Sequence, residues 1–362
     1  MTRTGSSDKL LFASVIGLVL FGLVMIYSAS AVVATEQYGT PYYYVLRQAM
    51  WAALGLVGMC AAMWIDYRAY NRTAVVYGSV AVVTILLVAV FAFPATNGAH
   101  RWIRFSGFQF QPSEMAKVVA VLFLAYWLDR KSSEVSEFRR VLLPCAVVSG
   151  GFAALVAAEP DLGTALGIGT VLVIVLYVAK VPSRQILLLP AAAAGPVAAM
   201  LVFVPFRLKR LGAFLDPWAD PMGSGYHVIQ SLLAVGSGGV SGLGLSQGKQ
   251  KLFYLPEPHT DFIFAVIGEE LGLLGAISVV AVFGLLAWRG LRAAGRAPDE
   301  FGTLLATGLT VMIVAQALFN ISVALALVPT KGIPLPFVSY GGSSLCISMT
   351  AMGVLLNVSQ GR

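Results

Sequence analysis

The sequence predicts an all-α polytopic membrane protein with ten transmembrane helices, both termini cytoplasmic, and one large extracytoplasmic loop between helices 7 and 8. Three observations carry this reading. The 362 residues are 58% hydrophobic and only 11% charged, whereas a soluble domain carries about 25% charged residues. Mean hydropathy is +0.82, so too little polar surface remains to cover a water-soluble globule. The apolar residues also gather in runs of roughly the 20 residues that a helix needs to cross a bilayer. Residues 1–362 are read as a single membrane domain.

The first run, near residues 10–34, is longer than the roughly 7–15 apolar residues of a signal-peptide core, so it is read as the first span. Spans near 44–65, 73–93 and 111–128 follow. Residues 141–180 form one nearly continuous apolar stretch, interrupted only at Glu159-Pro160-Asp161. A proline between two carboxylates breaks a helix and turns the chain at a water interface, which divides the stretch into spans at 141–158 and 163–179. A seventh span lies near 186–204.

Residues 205–260 then form the outer loop, rich in Gly but also carrying Trp218, Tyr226, Phe253 and Tyr254. Structureless loops of this length are usually functional or disordered. The apolar content predicts that this one is partly folded on the membrane surface. Spans near 261–288, 302–327 and 341–358 complete the chain.

Orientation follows from where Lys and Arg fall in the short loops. With the N-terminus inside, the inner set is Arg3, Lys9, Arg68, Arg72, Arg130, Lys131, Arg139, Arg140, Lys180, Arg184, Arg289, Arg292, Arg296 and Arg362. Short outer loops hold only Arg101, Arg104 and Lys331. The same rule accounts for the net charge of +7, so the basic balance needs no nucleic-acid partner.

Several function classes lose support. Gly248-Lys249 is followed by Gln250, and Leu243 stands where a phosphate-binding loop needs glycine. The glycines from Gly236 to Gly244 do not fit GxGxxG, and no Asp-x-Asp pair offers to hold a metal–nucleotide sugar. His100, His227 and His259 lack metal-ligand spacing, and Cys60, Cys145 and Cys346 sit singly in apolar runs. Any reaction here should use a donor that is already activated.

Ionisable residues at membrane depth are costly, so each needs a reason. In Gly98 to Arg104, Arg101 and Arg104 flank Trp102; they either anchor the interface or grip a phosphate and a sugar. At the fourth span, Glu114 and Lys117 share a helix face at i, i+3, as a structural ion pair or a working one. Asp161 suits a helix cap, while Glu159 and Asp161 together would suit a divalent cation and a diphosphate.

Tyr254 to Phe264 concentrates Glu257, His259 and Asp261 beside an apolar wall, where burial raises a carboxyl toward general-base use. Thr260 or Asp261 would otherwise cap the next helix. This is the leading catalytic segment. Finally, Pro329 to Ser344 holds three prolines and a Gly-Gly-Ser-Ser run that preclude regular helix across most of it. Irregular backbone at membrane depth survives only where protein or a wet cavity covers it. Lys331 and hydroxyls such as Ser343 would suit a phosphate there; otherwise the segment is a re-entrant structural turn.

These segments, in this order, resemble the SEDS family (shape, elongation, division and sporulation). The resemblance spans nearly the whole chain and rests on Gly98 to Ile103, Gln111 to Lys117, Pro160 to Ala165, the Gly225–Gly244 stretch, Leu255 to Gly272 and Pro329 to Ser344. Gln250 to Tyr254, Gly268-Glu269-Glu270 and Pro329 to Gly332 are more similar to its cell-division branch.

The resemblance implies a ten-helix fold in the bacterial inner membrane, placed at the division septum. It also implies peptidoglycan glycosyltransferase activity, polymerising lipid II on the outer face. Asp261 then matches the family's essential aspartate, Glu114 and Lys117 an important buried pair, and Trp102 and Asp161 other sensitive positions. The implied partners are a class B penicillin-binding protein transpeptidase and other divisome membrane proteins.

In such a reaction Asp261 would be the base, and inversion at the anomeric carbon is expected. Arg101, Arg104, Lys117, Lys331 and basic residues of the outer loop are candidates to receive the diphosphate, with Mg2+ or Mn2+ as the candidate cation. A lipid II flippase and a non-catalytic divisome scaffold stand as the alternatives.

Overall fold

The computed structural model describes residues 7–95, 98–105, 108–202, 205–252 and 254–361. Arg3 and Arg362 of the inner basic set, and Phe253 of the outer loop, lie outside the described residues. In chain order the helices are α1 (Lys9–Tyr38), α2 (Tyr43–Trp64), α3 (Thr73–Ala89), α4 (Pro112–Arg130), α5 (Leu143–Ala158), α6 (Leu162–Val178), α7 (Ser183–Ile186), α8 (Leu188–Val202), α9 (Pro205–Leu215), α10 (Tyr226–Ser237), α11 (Ile263–Ala294), α12 (Glu300–Ala324) and α13 (Gly342–Val358).

Helix occupies each of the ten apolar runs read from the sequence. Among the described residues, length and composition qualify six helical segments as able to cross a membrane, with α6 and α13 as shorter apolar helices. The chain is therefore an all-helical, polytopic membrane protein. One small departure is a hairpin between α3 and α4, in which β1 (Ile103–Phe105) pairs antiparallel with β2 (Phe108–Phe110).

Local chemistry sets the helix ends. Asp8 Oδ1 accepts from the Leu10 and Leu11 amides at 3.1 Å each and starts α1. Gly39, at φ 71°, ends that helix in the left-handed region. Pro112 opens α4, where its missing N–H has no partner to lose. Asp299 Oδ1 accepts from the Gly302 amide at 2.7 Å at the start of α12.

The core is built around α12, which packs against α4, α6, α11 and α13 and buries Leu304, Leu305, Leu309, Ile313 and Ala317. Helix α4 is buried on nearly all sides, so even its charged residues must find partners inside. On the outside, Leu46, Val57, Ile85, Val147 and Leu274 are exposed, as expected of a surface solvated by lipid. Where α1 begins, Arg289 Nε donates to Asp8 Oδ2 at 2.6 Å, tying α1 to α11.

The outer loop is more folded than a surface excursion. It contains α9 and α10, and its segment after Ser237 runs against a break in α11. Gly272 has φ 65° and ψ −162° inside that helix. The freed amides of Leu273 and Leu274 donate to the carbonyls of Gly239 (2.9 Å) and Val240 (3.2 Å). In return Leu243 and Gly244 donate to the carbonyls of Glu269 (3.0 Å) and Glu270 (2.9 Å). A broken helix survives at membrane depth because these partners replace its own ladder.

Candidate functional site

The site is made where two irregular segments, 255–262 and 329–341, meet the N-terminal ends of α2 and α4 and the C-terminal end of α12. Buried amide side chains hold the two together. Asn320 Nδ2 donates to the carbonyls of both Asp261 (2.8 Å) and Ile333 (2.7 Å). Gln316 Nε2 donates to the Pro334 carbonyl at 2.9 Å. From α2, Gln48 Nε2 donates to the Ser339 carbonyl at 3.0 Å and its Oε1 accepts from the Gly341 amide at 3.2 Å. Ser339 Oγ donates to the Thr260 carbonyl, and the Tyr340 amide to that of His259 at 2.9 Å. The backbone around Asp261 is thus fixed from three sides.

Between these segments opens a polar cavity of about 740 Å³. Asp261 lines it together with His259, Glu257 and Thr260, and Glu114 reaches it from α4. The basic groups on its wall are Arg47 from α2 and Arg101 and Arg104 from the hairpin region. Trp102, Trp51, Tyr43, Tyr44 and Tyr340 supply aromatic wall. Tyr44 and His259 have ring centroids 4.4 Å apart, and Arg47 lies 4.8 Å from the centre of the Tyr43 ring.

The electrostatics suit a base. Burial, followed by the neighbouring charge of Glu257, pushes the Asp261 carboxyl up to about 7, while Arg101 and Arg210 pull the other way. A carboxyl near neutrality takes up or gives up a proton readily at pH 7. Burial lowers the His259 imidazole to about 4, so it is neutral at that pH. Glu257 Oε2 lies 3.8 Å from His259 Nε2. Asp261 does not cap α11: Phe262 occupies the cap position and no side chain bonds there. Gly332 lets the strap approach Asp261, because a Cβ at that residue would lie 2.8 Å from Asp261 Oδ2.

Glu114 and Lys117 pair at 2.9 Å with both side chains buried. Ser344 Oγ donates to Glu114 Oε2 at 2.8 Å, and Lys117 Nζ also donates to Gln316 Oε1. Asp161 is the cap of α6, accepting from the Thr164 amide (3.3 Å) and hydroxyl (2.8 Å). Ser343 accepts from the Gln111 amide at 3.3 Å. Of the residues singled out from sequence, Asp261, His259, Trp102, Arg101, Arg104 and Glu114 come together on the cavity wall. Lys117, Asp161, Ser343 and Lys331 are not among its lining residues.

In the outer loop, Lys251 is bound to Glu270 at 2.6 Å, whereas Arg210 acts electrostatically on Asp261. No three metal-ligating side chains converge among the described residues. Asp161 is committed to Thr164, and both Glu159 carboxylate oxygens are buried with no hydrogen-bond partner.

Sequence reasoning missed Gln48, Gln316 and Asn320, although a polar amide inside an apolar run is the same kind of signal as a buried charge. It also missed Arg47 and the tyrosines, which look like interfacial residues at the start of a span.

A family model described as "Cell cycle protein" (FtsW, RodA and SpoVE) matches residues 8–362. A probable peptidoglycan glycosyltransferase FtsW of Geobacter sp. (strain M18) is 42% identical over 99% of this chain and 98% of its own. Stage V sporulation protein E of Bacillus subtilis is 39% identical over 99% of this chain and 98% of its own.

Among solved structures, a chain of a peptidoglycan synthase complex that coordinates polymerization and crosslinking superposes with TM-score 0.80 at 29% identity, covering 98% of this chain and 97% of that one. The rod shape determining protein RodA of Thermus thermophilus gives 0.72 at 26%, covering 98% and 96%.

Proposed function

The chain belongs to the FtsW/RodA/SpoVE cell cycle protein family, and from that premise we propose that it is a peptidoglycan glycosyltransferase that polymerises lipid II for septal wall synthesis. The observation that carries this reading is a near-neutral carboxyl, Asp261, sharing one polar cavity with Arg47, Arg101 and Arg104.

The reaction joins the 4-hydroxyl of an acceptor GlcNAc to the anomeric carbon of a MurNAc carried on undecaprenyl diphosphate. Asp261 takes the hydroxyl proton as the new C–O bond forms, and the bond to the diphosphate breaks on the opposite face, inverting the anomeric centre. The arginines receive the negative charge that develops on the leaving diphosphate. The aromatic wall offers flat apolar faces against which sugar rings pack. Because the donor is activated beforehand, no nucleotide is needed.

In this reading the chain has ten spans with both termini cytoplasmic, and the cavity opens on the outer face of the inner membrane. The ten helical runs and the inner bias of Lys and Arg support that arrangement. A class B penicillin-binding protein is the expected partner, consistent with the synthase complex to which a structural relative belongs. Mg2+ or Mn2+, if required, would arrive with the diphosphate.

The test is glycan formation by the purified chain from labelled lipid II, with and without its transpeptidase. Polymer in either condition is expected. Movement of labelled lipid II across a bilayer with no polymer would replace this reading by the flippase, and neither activity by the scaffold.

A further inference from the structure

A second cavity of about 290 Å³ lies beside the first, between α6 and α12. Its character is different. Leu166, Met312, Leu318, Phe319, Val328 and Ile333 supply apolar wall, and Leu166 and Leu318 are 46% and 53% exposed, so the groove opens sideways toward lipid. From Gly163 to Thr170 it follows α6 for about 10 Å at 1.5 Å per residue, within the roughly 15 Å of hydrocarbon in one leaflet.

The two cavities are separated by one thin partition. Thr164 lines both. Glu114 faces the polar cavity and its partner Lys117 faces the groove. In the strap, Gly332 and Pro334 line the polar cavity while Ile333 lines the groove. A ligand with a charged head and an apolar tail would straddle this partition, with the Lys117 ammonium close to where the head meets the tail.

We propose that the groove between α6 and α12 holds the head-proximal isoprene units of a polyprenyl diphosphate-linked sugar. The inference rests on the function proposed above and names how that site takes its lipid. Gly167 lines the groove and a Cβ there meets nothing within 4 Å, so it is the position at which to introduce a side chain that fills the groove.

The experiment uses the full chain in nanodiscs and a polyprenyl diphosphate, without sugar, carrying a photoreactive diazirine near the head. Labelling is expected on α6 and α12 peptides around Leu166 and Leu318, and Gly167→Trp should reduce it about tenfold. In polymerisation, the same variant should raise KM for lipid II about tenfold with kcat nearly unchanged, the pattern of lost ground-state binding. Leu318→Trp is the second variant should Gly167→Trp not fold, and Ile85→Trp, 66% exposed on α3, is the lipid-facing control.

Labelling elsewhere, or groove-filling variants indistinguishable from wild type, would overturn the proposal. So would loss of the label to excess phospholipid, which marks an ordinary acyl-chain groove, or to the partner's membrane helix. The two readings fail separately. Groove labelling without polymer retains the groove and removes the polymerase, and polymer unaffected by filling does the reverse.

Discussion

Asp261 is where residue chemistry and function meet. Its carboxyl holds a proton more tightly in the folded chain, at about 7 against the usual 3.8, so two consequences follow with definite sign. As a base it must be ionised, so the polymerisation rate should rise with pH through about 7 and then level off, read from initial rates between pH 5.5 and 8.5. Ionisation also weakens the fold as pH climbs from the unfolded value through about 7, so the residue is kept against its effect on stability.

The Glu114–Lys117 pair makes a contrasting case. Both groups are buried and fully engaged, so Lys117→Met strands a carboxylate and should destabilise by about 3–5 kcal/mol. Adding Glu114→Gln should recover much of that loss in thermal unfolding of the purified protein. These residues were legible in the sequence because a charge in an apolar run stands out. Gln48, Gln316 and Asn320 were not, because an uncharged amide announces neither its partner nor the direction it faces.

At the scale of elements, the break in α11 and the loop that seals it act as one unit. Glu269 Oε1 accepts from the amides of Lys249 (2.7 Å) and Gln250 (3.1 Å), and Glu270 Oε2 from the Ser246 amide at 3.1 Å. Glu269→Ala should therefore loosen the loop and speed its proteolysis between Ser246 and Tyr254, with little change in the rest of the chain. The sequence showed Gly268-Glu269-Glu270-Leu271-Gly272 as a cluster beside a span, but not its use. A helix break depends on backbone partners 26 to 34 residues away in the chain, Gly239, Val240, Leu243 and Gly244, and periodicity carries no trace of such pairing. By contrast, the breaks at Pro160 and through 329–341 were legible, because proline states its effect locally.

At the scale of the whole molecule, apolar run length located the helical segments and charge bias supports the proposed orientation, since both are averages over many residues. The cavity was not visible in that way, being made by segments far apart in sequence. Orientation has its own check. Single cysteines placed at Met222, 87% exposed in the outer loop, and at Ser133, in the α4–α5 connection, are read with an impermeant maleimide on intact spheroplasts in a background lacking the native cysteines. Labelling of the first and not the second is expected, and the reverse pattern would invert the site to the cytoplasm.

The measurement that bears most directly on the whole account is glycan formation by Asp261→Asn beside wild type at pH 8, with thermal unfolding of both followed in parallel. A general base contributes about 10²–10⁴-fold, so the variant should be at least about 100-fold slower while unfolding at the same or a higher temperature. A variant that polymerises within a few-fold of wild type would remove Asp261 from the centre of the reaction.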